Sequence, residues 1–281
     1  MRNLISYCLF GTHRRYWHSV PFVVSANSIM NPDLRMRFHV HKSYRETPGY
    51  ALLSVLAAEE FVDLVESGVD FPGSSAMILR MMPLFDPEVD VFFLRDIDAS
   101  PCTEDVRAMR IFLKTNLWVH AGRGHRAHTL PIMGCLAGFR ASVLRNEMRM
   151  GSFDEFVETA FGILPYIGHK EWVWNSDQEV LTRMMEPFTA RTLDTPMGPA
   201  PVLEWYKAVR FSPDLYKLED VSGIPVEVRE ACDSISKEPG IPTVIPDALL
   251  RRSIWWEGPV QKRIRKFMED HPKLDREWVW E

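Results

Sequence analysis

The sequence predicts an α/β domain over roughly residues 1–190, followed by a C-terminal extension over 191–281 that wraps or packs on it. Three observations carry this. Apolar runs of strand length alternate with stripes of helical spacing, the pattern of an α/β domain. The most apolar run, "VDVFF" with Leu94, stops abruptly on Asp96 and Asp98. Past about residue 187, proline becomes more frequent and periodicity weakens.

Each element follows in order. "LISYCLFG" (4–11) is a β-like run ended by Gly11, with polar and aromatic "THRRYWH" after it. "RMRFHVH" (35–41) alternates strictly, which places Met36, Phe38 and Val40 on one face of a half-buried strand. From Gly49 to Gly68 the spacing turns helical, with Leu53, Leu56, Ala57, Phe61, Leu64 and Val65 in one stripe. A Gly/Ser turn (72–75) and a helix "AMILRMMPLF" lead into the central strand. "SPCTEDVRAMRIFLK" then opens a helix with Thr103 as N-cap and Glu104 and Asp105 at its positive end. "PIMGCLAGFRAS" (131–142) reads as strand-like, with glycines that permit close backbone approach. "NSDQEVLTRMM" (175–185) reads as a helix with a capping box, Ser176 followed by Glu179. Near the end, "GPVQKRIRKFMED" sets Pro259 at a first helical position, with Val260, Ile264, Phe267 and Met268 on one face.

With 281 residues, 46% hydrophobic and 25% charged, the chain is long enough and apolar enough for a sizeable core. A net charge of −5 argues against nucleic-acid or membrane-surface binding, yet leaves room for an anion in a local basic pocket. Four scattered cysteines without C-x-x-C spacing read as thiols of a reducing compartment. No apolar run reaches the ~18 residues of a membrane span, and the N-terminal run is too interrupted for a signal peptide. Cytoplasmic residence is the expectation.

Residues two apart on a strand point the same way, so Asp96 and Asp98 are expected to face one point in space. Close carboxylates repel unless a cation sits between them or one takes a proton. Oxygen-only ligands suit Mg²⁺ or Mn²⁺, which also favour phosphate oxygens. In open α/β sheets, ligands bind outside the carboxyl ends of the strands. The combination points to a metal that holds a nucleotide diphosphate; the bland alternative is that D-x-D only caps the next helix.

At this point the chain resembles a family. "ILRMMPLFDPEVDVFFLRDIDAS" resembles the central segment of GT-A-type glycosyltransferases that use nucleotide sugars. "YCLFG" is similar to their first strand and uridine-side loop, which implies donor contacts at Leu9, Phe10 and Gly11. "HRAHTLPIMGCLAGFRAS" resembles the segment in which a histidine precedes a glycine-bearing strand beside the sugar, which implies His128 and Gly134. "NSDQEVLTRM" resembles the helix start near the acceptor. The likeness spans about residues 4 to 186 and has the look of small sugar transferases of large DNA viruses and some bacteria. A viral origin would mean the host cytoplasm. Cys135 departs from the pattern, where a second glycine is common.

The resemblance implies a GT-A-like, Rossmann-like domain with a central mixed, mostly parallel sheet flanked by helices. It implies a nucleotide-sugar donor such as a UDP-sugar, a glycan or glycoprotein acceptor, and Mn²⁺ or Mg²⁺ held by Asp96 and Asp98. Of the two, Asp98 is the more direct ligand and Asp96 the partner of ribose or metal-bound water. Arg80 and Arg95 are candidates for phosphate or sugar. Arg80 has a second reading, a bond to Asp96 that organises the site, while strand alternation turns Arg95 away from the aspartates. Tyr16, in "HRRYW", is placed to stack on the base unless that stretch is only a solvated loop. His128 bonds sugar or phosphate, or is an ordinary loop residue, with His125 behind it. Asp177 is the candidate general base of an inverting reaction, or simply a dipole-stabilising residue at a helix start. Trp172 and Trp174 offer a platform for a sugar ring, or core packing.

Two other readings stand beside this one. Haloacid-dehalogenase-type phosphohydrolases also place D-x-D at a strand end, but they need a later carboxylate pair, typically adjacent aspartates, and no Asp-Asp occurs in this chain. The other is a non-catalytic sugar- or nucleotide-binding protein of the same fold.

Overall fold

The structure, a computed structural model, describes residues 1–68, 70–71, 73–99, 101, 103–123, 130–196, 209–210 and 257–272. Among these, eight strands form one sheet: β1 (Arg2–Leu9), β2 (Arg35–Val40), β3 (Asp63–Glu66), β4 (Val89–Leu94), β5 (Val119–Arg123), β6 (Ala137–Arg140), β7 (Thr192–Pro196) and β8 (Val209–Arg210). Their order is β3-β2-β1-β4-β6-β5-β7-β8. Only β6 runs against its neighbours β4 and β5; the other pairings are parallel. The expected α/β class with a mixed, mostly parallel sheet is what is observed.

Both faces of the sheet are covered, and this is why β1 and β4 read as nearly continuous apolar runs. On one face Ile5, Tyr7, Phe38 and Phe93 pack against α2 (Val20–Met30), α3 (Pro48–Ala58) and α4 (Thr103–Leu113). On the other face Leu4, Phe92, Leu94 and Phe139 meet a 3₁₀ helix (Gly73–Phe85), α5 (Ala141–Glu147), α6 (Phe153–Ile163) and α7 (Ser176–Met185). A short α1 (Arg14–His18) follows β1 where a polar loop was expected.

The described residues beyond 190 join the same sheet and core. β7 pairs with β5 from Val119↔Thr192 onward. The final described helix, α8 (Pro259–Asp270), buries Val260, Ile264 and Phe267 in the first cluster. Gln261 Nε2 donates to Ser28 Oγ at 2.8 Å and to Ser25 Oγ at 3.1 Å, which pins α8 to α2.

Several local expectations fail for physical reasons. The helix expected over 49–68 ends at Ala58, because Glu60 turns at φ 61° and Asp63–Glu66 pairs with β2. An apolar spacing of three to four had continued across that break by coincidence. β2 is buried on both faces, so Arg37 and His39 are inside as well as Met36 and Phe38. The segment before β4 is 3₁₀ throughout and not α, with Pro83 inside it. Within 131–142 only Ala137–Arg140 is strand; turns precede it and α5 follows.

Candidate active site

β1 and β4 are parallel neighbours at the point where strand order reverses, so the chains leaving their carboxyl ends part and open a hollow. A cavity of about 190 Å³ lies there. Leu9 and Phe10 line it from the end of β1, Asp96 and Asp98 from the end of β4, and Asp177 from α7. The two aspartates therefore border one space, although they lie past the end of β4 in a turn closed by Ala99 N–H to the Asp96 carbonyl and not on the strand whose alternation suggested it. Arg15 and Tyr16 of α1 line it as well, with the Tyr16 ring stacked on Phe10 at 6.3 Å between centroids.

Arg80 organises the floor. It is buried, 1% exposed, and its guanidinium reaches two carboxylates at once. Nη1 donates to Asp96 Oδ1 at 2.8 Å, and Nη2 donates to Asp177 Oδ2. Of the two roles the sequence left open, the bond to Asp96 is present, and Arg80 also borders the cavity. Gly134 lies directly over this bridge. A Cβ there would overlap Arg80 Nη2 and sit 2.8 Å from Asp177 Oδ2, so the close approach that glycine permits is to the ion pair. Gly134 does not line the cavity wall itself.

Around the aspartates the charges do not balance. Asp98 Oδ2 lies 2.6 Å from Arg15 Nε, yet burial and the neighbouring Asp96 push its carboxyl above the usual carboxylate range. Burial also pushes the Cys8 and Cys135 thiols up to about 12, so at neutral pH both stay protonated. The anionic donors offered to the cavity by the described residues are thus carboxylates, the set suited to a hard cation. Among the described residues no group of three His, Cys, Asp or Glu side chains forms a metal cage. Asp96 and Asp98 supply two of the cavity's carboxylates, the oxygen chemistry a hard cation takes.

Arg95 is not part of this site. It is buried against Asp105, with Nε to Oδ2 at 2.8 Å and Nη2 to Oδ1 at 2.5 Å, and Nη1 also donates to the Ala137 carbonyl at 3.2 Å. Its place as a donor-binding residue is corrected: the fork ties the end of β4 to the first turn of α4 and so braces the aspartate-bearing loop between them. Strand alternation had turned it this way. His128 and His125 lie outside the described residues.

Gly11 turns in the left-handed region (φ 71°) directly after Phe10. Its N–H donates to Ser43 Oγ at 2.7 Å, whose hydroxyl lies 2.7 Å from His41 Nδ1, and His41 Nε2 lies 3.0 Å from Asp70 Oδ1. This chain of bonds holds the loop behind the cavity wall.

The start of α7 departs from a capping box. Its N-cap is Asn175, at φ 70°, without a side-chain cap bond. Ser176 Oγ instead accepts from the Val173 N–H at 2.9 Å, and Glu179 pairs with His169 at 3.0 Å. Backbone in this region costs a non-glycine residue roughly 1–3 kcal/mol, held here by its surroundings. Trp172 packs on Phe161, whereas Trp174 is 68% exposed at the cavity rim beside Asn175 and Gln178. Sequence reasoning missed Gln178 and the specific use of Arg15. The motif "HRRYW" marked the right segment, but only the fold brings it to Asp98.

No family model matches the chain, and no curated protein matches it by sequence. Among solved structures it is similar to the mannosyltransferase PcManGT from Pyrobaculum calidifontis, described in complex with GDP-Man and Mn2+. That likeness has 10% sequence identity and a TM-score of 0.43, and covers 97% of this chain and 75% of the other. At such a distance it bears on neither substrate nor mechanism.

Proposed function

We propose that this chain is a metal-dependent GT-A-type glycosyltransferase. It moves a sugar from a nucleotide diphosphate, a UDP-sugar, to a hydroxyl of a glycan or glycoprotein acceptor, with inversion. One observation carries the reading: both aspartates of the R-D-I-D-A-S motif open into the same hollow at the β1/β4 switch point, with a third carboxylate, Asp177, on another wall.

Asp96 and Asp98 would hold Mn²⁺ or Mg²⁺, which when bound neutralises charge on the departing diphosphate. Arg15, exposed at the rim, adds a cation for the phosphates. Tyr16 and Phe10 offer an aromatic step for the base. Arg80 holds Asp177 in place. The acceptor oxygen attacks the anomeric carbon on the face opposite the diphosphate, the carbon–phosphate oxygen bond breaks, and the hydroxyl proton passes to Asp177.

Calorimetry tests this with UDP as the probe. Mn²⁺ is expected to tighten UDP binding tenfold or more, about 1.4 kcal/mol, and Asp98→Ala is expected to abolish the gain. Equal affinity with and without metal sinks the reading. NMR of the product's anomeric configuration checks inversion.

A further inference from the structure

We propose that the α7 side of the cavity is a subsite for a neutral carbohydrate acceptor. In it the Trp174 indole stacks on one face of a sugar ring, and the Asn175 and Gln178 amides bond its hydroxyls. This names the acceptor class for the transferase reading and rests on it.

The cavity lining is of two chemical kinds. Arg15, Arg80, Asp96 and Asp98 are charged, the chemistry of phosphates and cations. Trp174, Asn175 and Gln178, on the turn that opens α7, are uncharged, an indole beside two amides. Gln178 Nε2 donates to Asn175 Oδ1 at 3.3 Å, which leaves Asn175 Nδ2 and Gln178 Oε1 for a ligand, and Asp177 stands between them in the chain. A sugar ring presents an apolar plate of C–H groups and an edge of hydroxyls that both donate and accept. An aromatic face matches the first and carboxamides, which also donate and accept, match the second.

The indole is held out by construction. Trp17 is buried at 7% exposure, while Trp174 stands at 68%. Ser176 N donates to the Val173 carbonyl at 3.1 Å, and Val173 N donates to Ser176 Oγ at 2.9 Å. Ser176 itself is fully buried. This reciprocal clamp, with Asn175 in the left-handed region, fixes the turn whose tip is Trp174. Retraction of the indole into the core would require breaking it. Trp174 and Asp177 are three residues apart and border the same cavity, so a ring seated on the indole brings its hydroxyl edge to the candidate base.

Saturation-transfer NMR on the full chain, with diamagnetic Mg²⁺ and UDP present, tests the subsite. The probes are the methyl glycosides of glucose, galactose, mannose, N-acetylglucosamine and xylose. At least one is expected to receive saturation on its ring C–H protons. Trp174→Ala should weaken its Kd about tenfold, and Trp174→Phe should hold it within about threefold. The Kd for UDP should stay unchanged in both variants. The proposal is overturned if no glycoside receives saturation, or if Trp174→Ala binds the glycoside as tightly as the parent. It is equally overturned if Trp174→Ala weakens UDP instead, which would seat the nucleotide on the indole. Loss of metal-dependent UDP binding with glycoside binding intact would remove the donor reading and leave the sugar subsite standing.

Discussion

Two buried arginines flank the end of β4, and they are used in opposite ways. Arg95 meets one carboxylate, Asp105, in a closed fork with both side chains almost wholly buried. Arg80 meets two, Asp96 and Asp177, and both of those border the cavity. One cation against one anion is neutral and complete. One cation against two leaves a negative charge facing an open space. The first arrangement braces the fold, and the second faces the cavity.

The sharpest way to break this comparison is to remove one carboxylate from each cluster. Asp105→Ala leaves Arg95 charged and buried without a carboxylate, its remaining bonds only to backbone carbonyls, and should destabilise the protein by about 3–5 kcal/mol in urea unfolding. Asp177→Asn leaves Arg80 still paired with Asp96, so its cost should be smaller, about 1–3 kcal/mol. Turnover should respond in the other sense. Asp177→Asn should lower kcat by about 100-fold or more if the carboxylate accepts the proton. Equal loss of stability in the two variants would show that Arg80 is only another structural ion pair.

The arginine clusters also show how far the sequence could be read. Strands β1 and β4 were visible because runs buried on both faces are apolar throughout, β2 was visible because its residues alternate, and the D-x-D at a strand end predicted a hollow that is present. Alternation turned Arg95 away from the aspartates, as observed. What was hidden is contact across long separations. Arg80 and Asp177 lie 97 positions apart, and no local pattern signals their bond. The 3₁₀ backbone of Gly73–Phe85 was hidden for another reason: its burial on nearly every side leaves little amphipathic period to read. The glycine signal at 134 was legible as close approach, while its partner was not.

That partner sharpens the comparison at smaller magnitude. Gly134→Ala inserts a methyl group into space already filled by the Arg80 guanidinium and Asp177. Arg80 is too buried to yield freely, so overpacking should cost about 1–3 kcal/mol. The loss should fall on donor affinity and turnover together, because the same movement displaces Asp96 and Asp177. A Gly134→Ala protein with unchanged stability and unchanged UDP affinity would show that the bridge adapts without consequence.

The effect that is smallest at neutral pH, and grows only in acid, concerns what surrounds the braced arginine and not the open one. Arg80 has the neutral thiols of Cys8 and Cys135 nearby, which do not titrate near neutrality. Arg95 shares Cys135 but also has His120, held down to about 3 by burial first and by Arg95 second, and on β2 burial and Arg37 hold His39 to about 3 as well. Both histidines are neutral in the folded protein, whereas the unfolded chain takes up protons below about 6.5. Stability therefore rises with pH between about 3 and 6.5 and is lost as pH falls through that window, by up to about 1.4 kcal/mol per pH unit per histidine. Neither ring nitrogen of His39 has a hydrogen-bond partner among the described residues, so leucine can replace it without orphaning another polar group. His39→Leu should flatten the fall of Tm between pH 6 and pH 4, and leave UDP affinity at pH 7 as it was. If the slope is the same in the variant, the buried His39 contributes nothing to the loss of stability in acid.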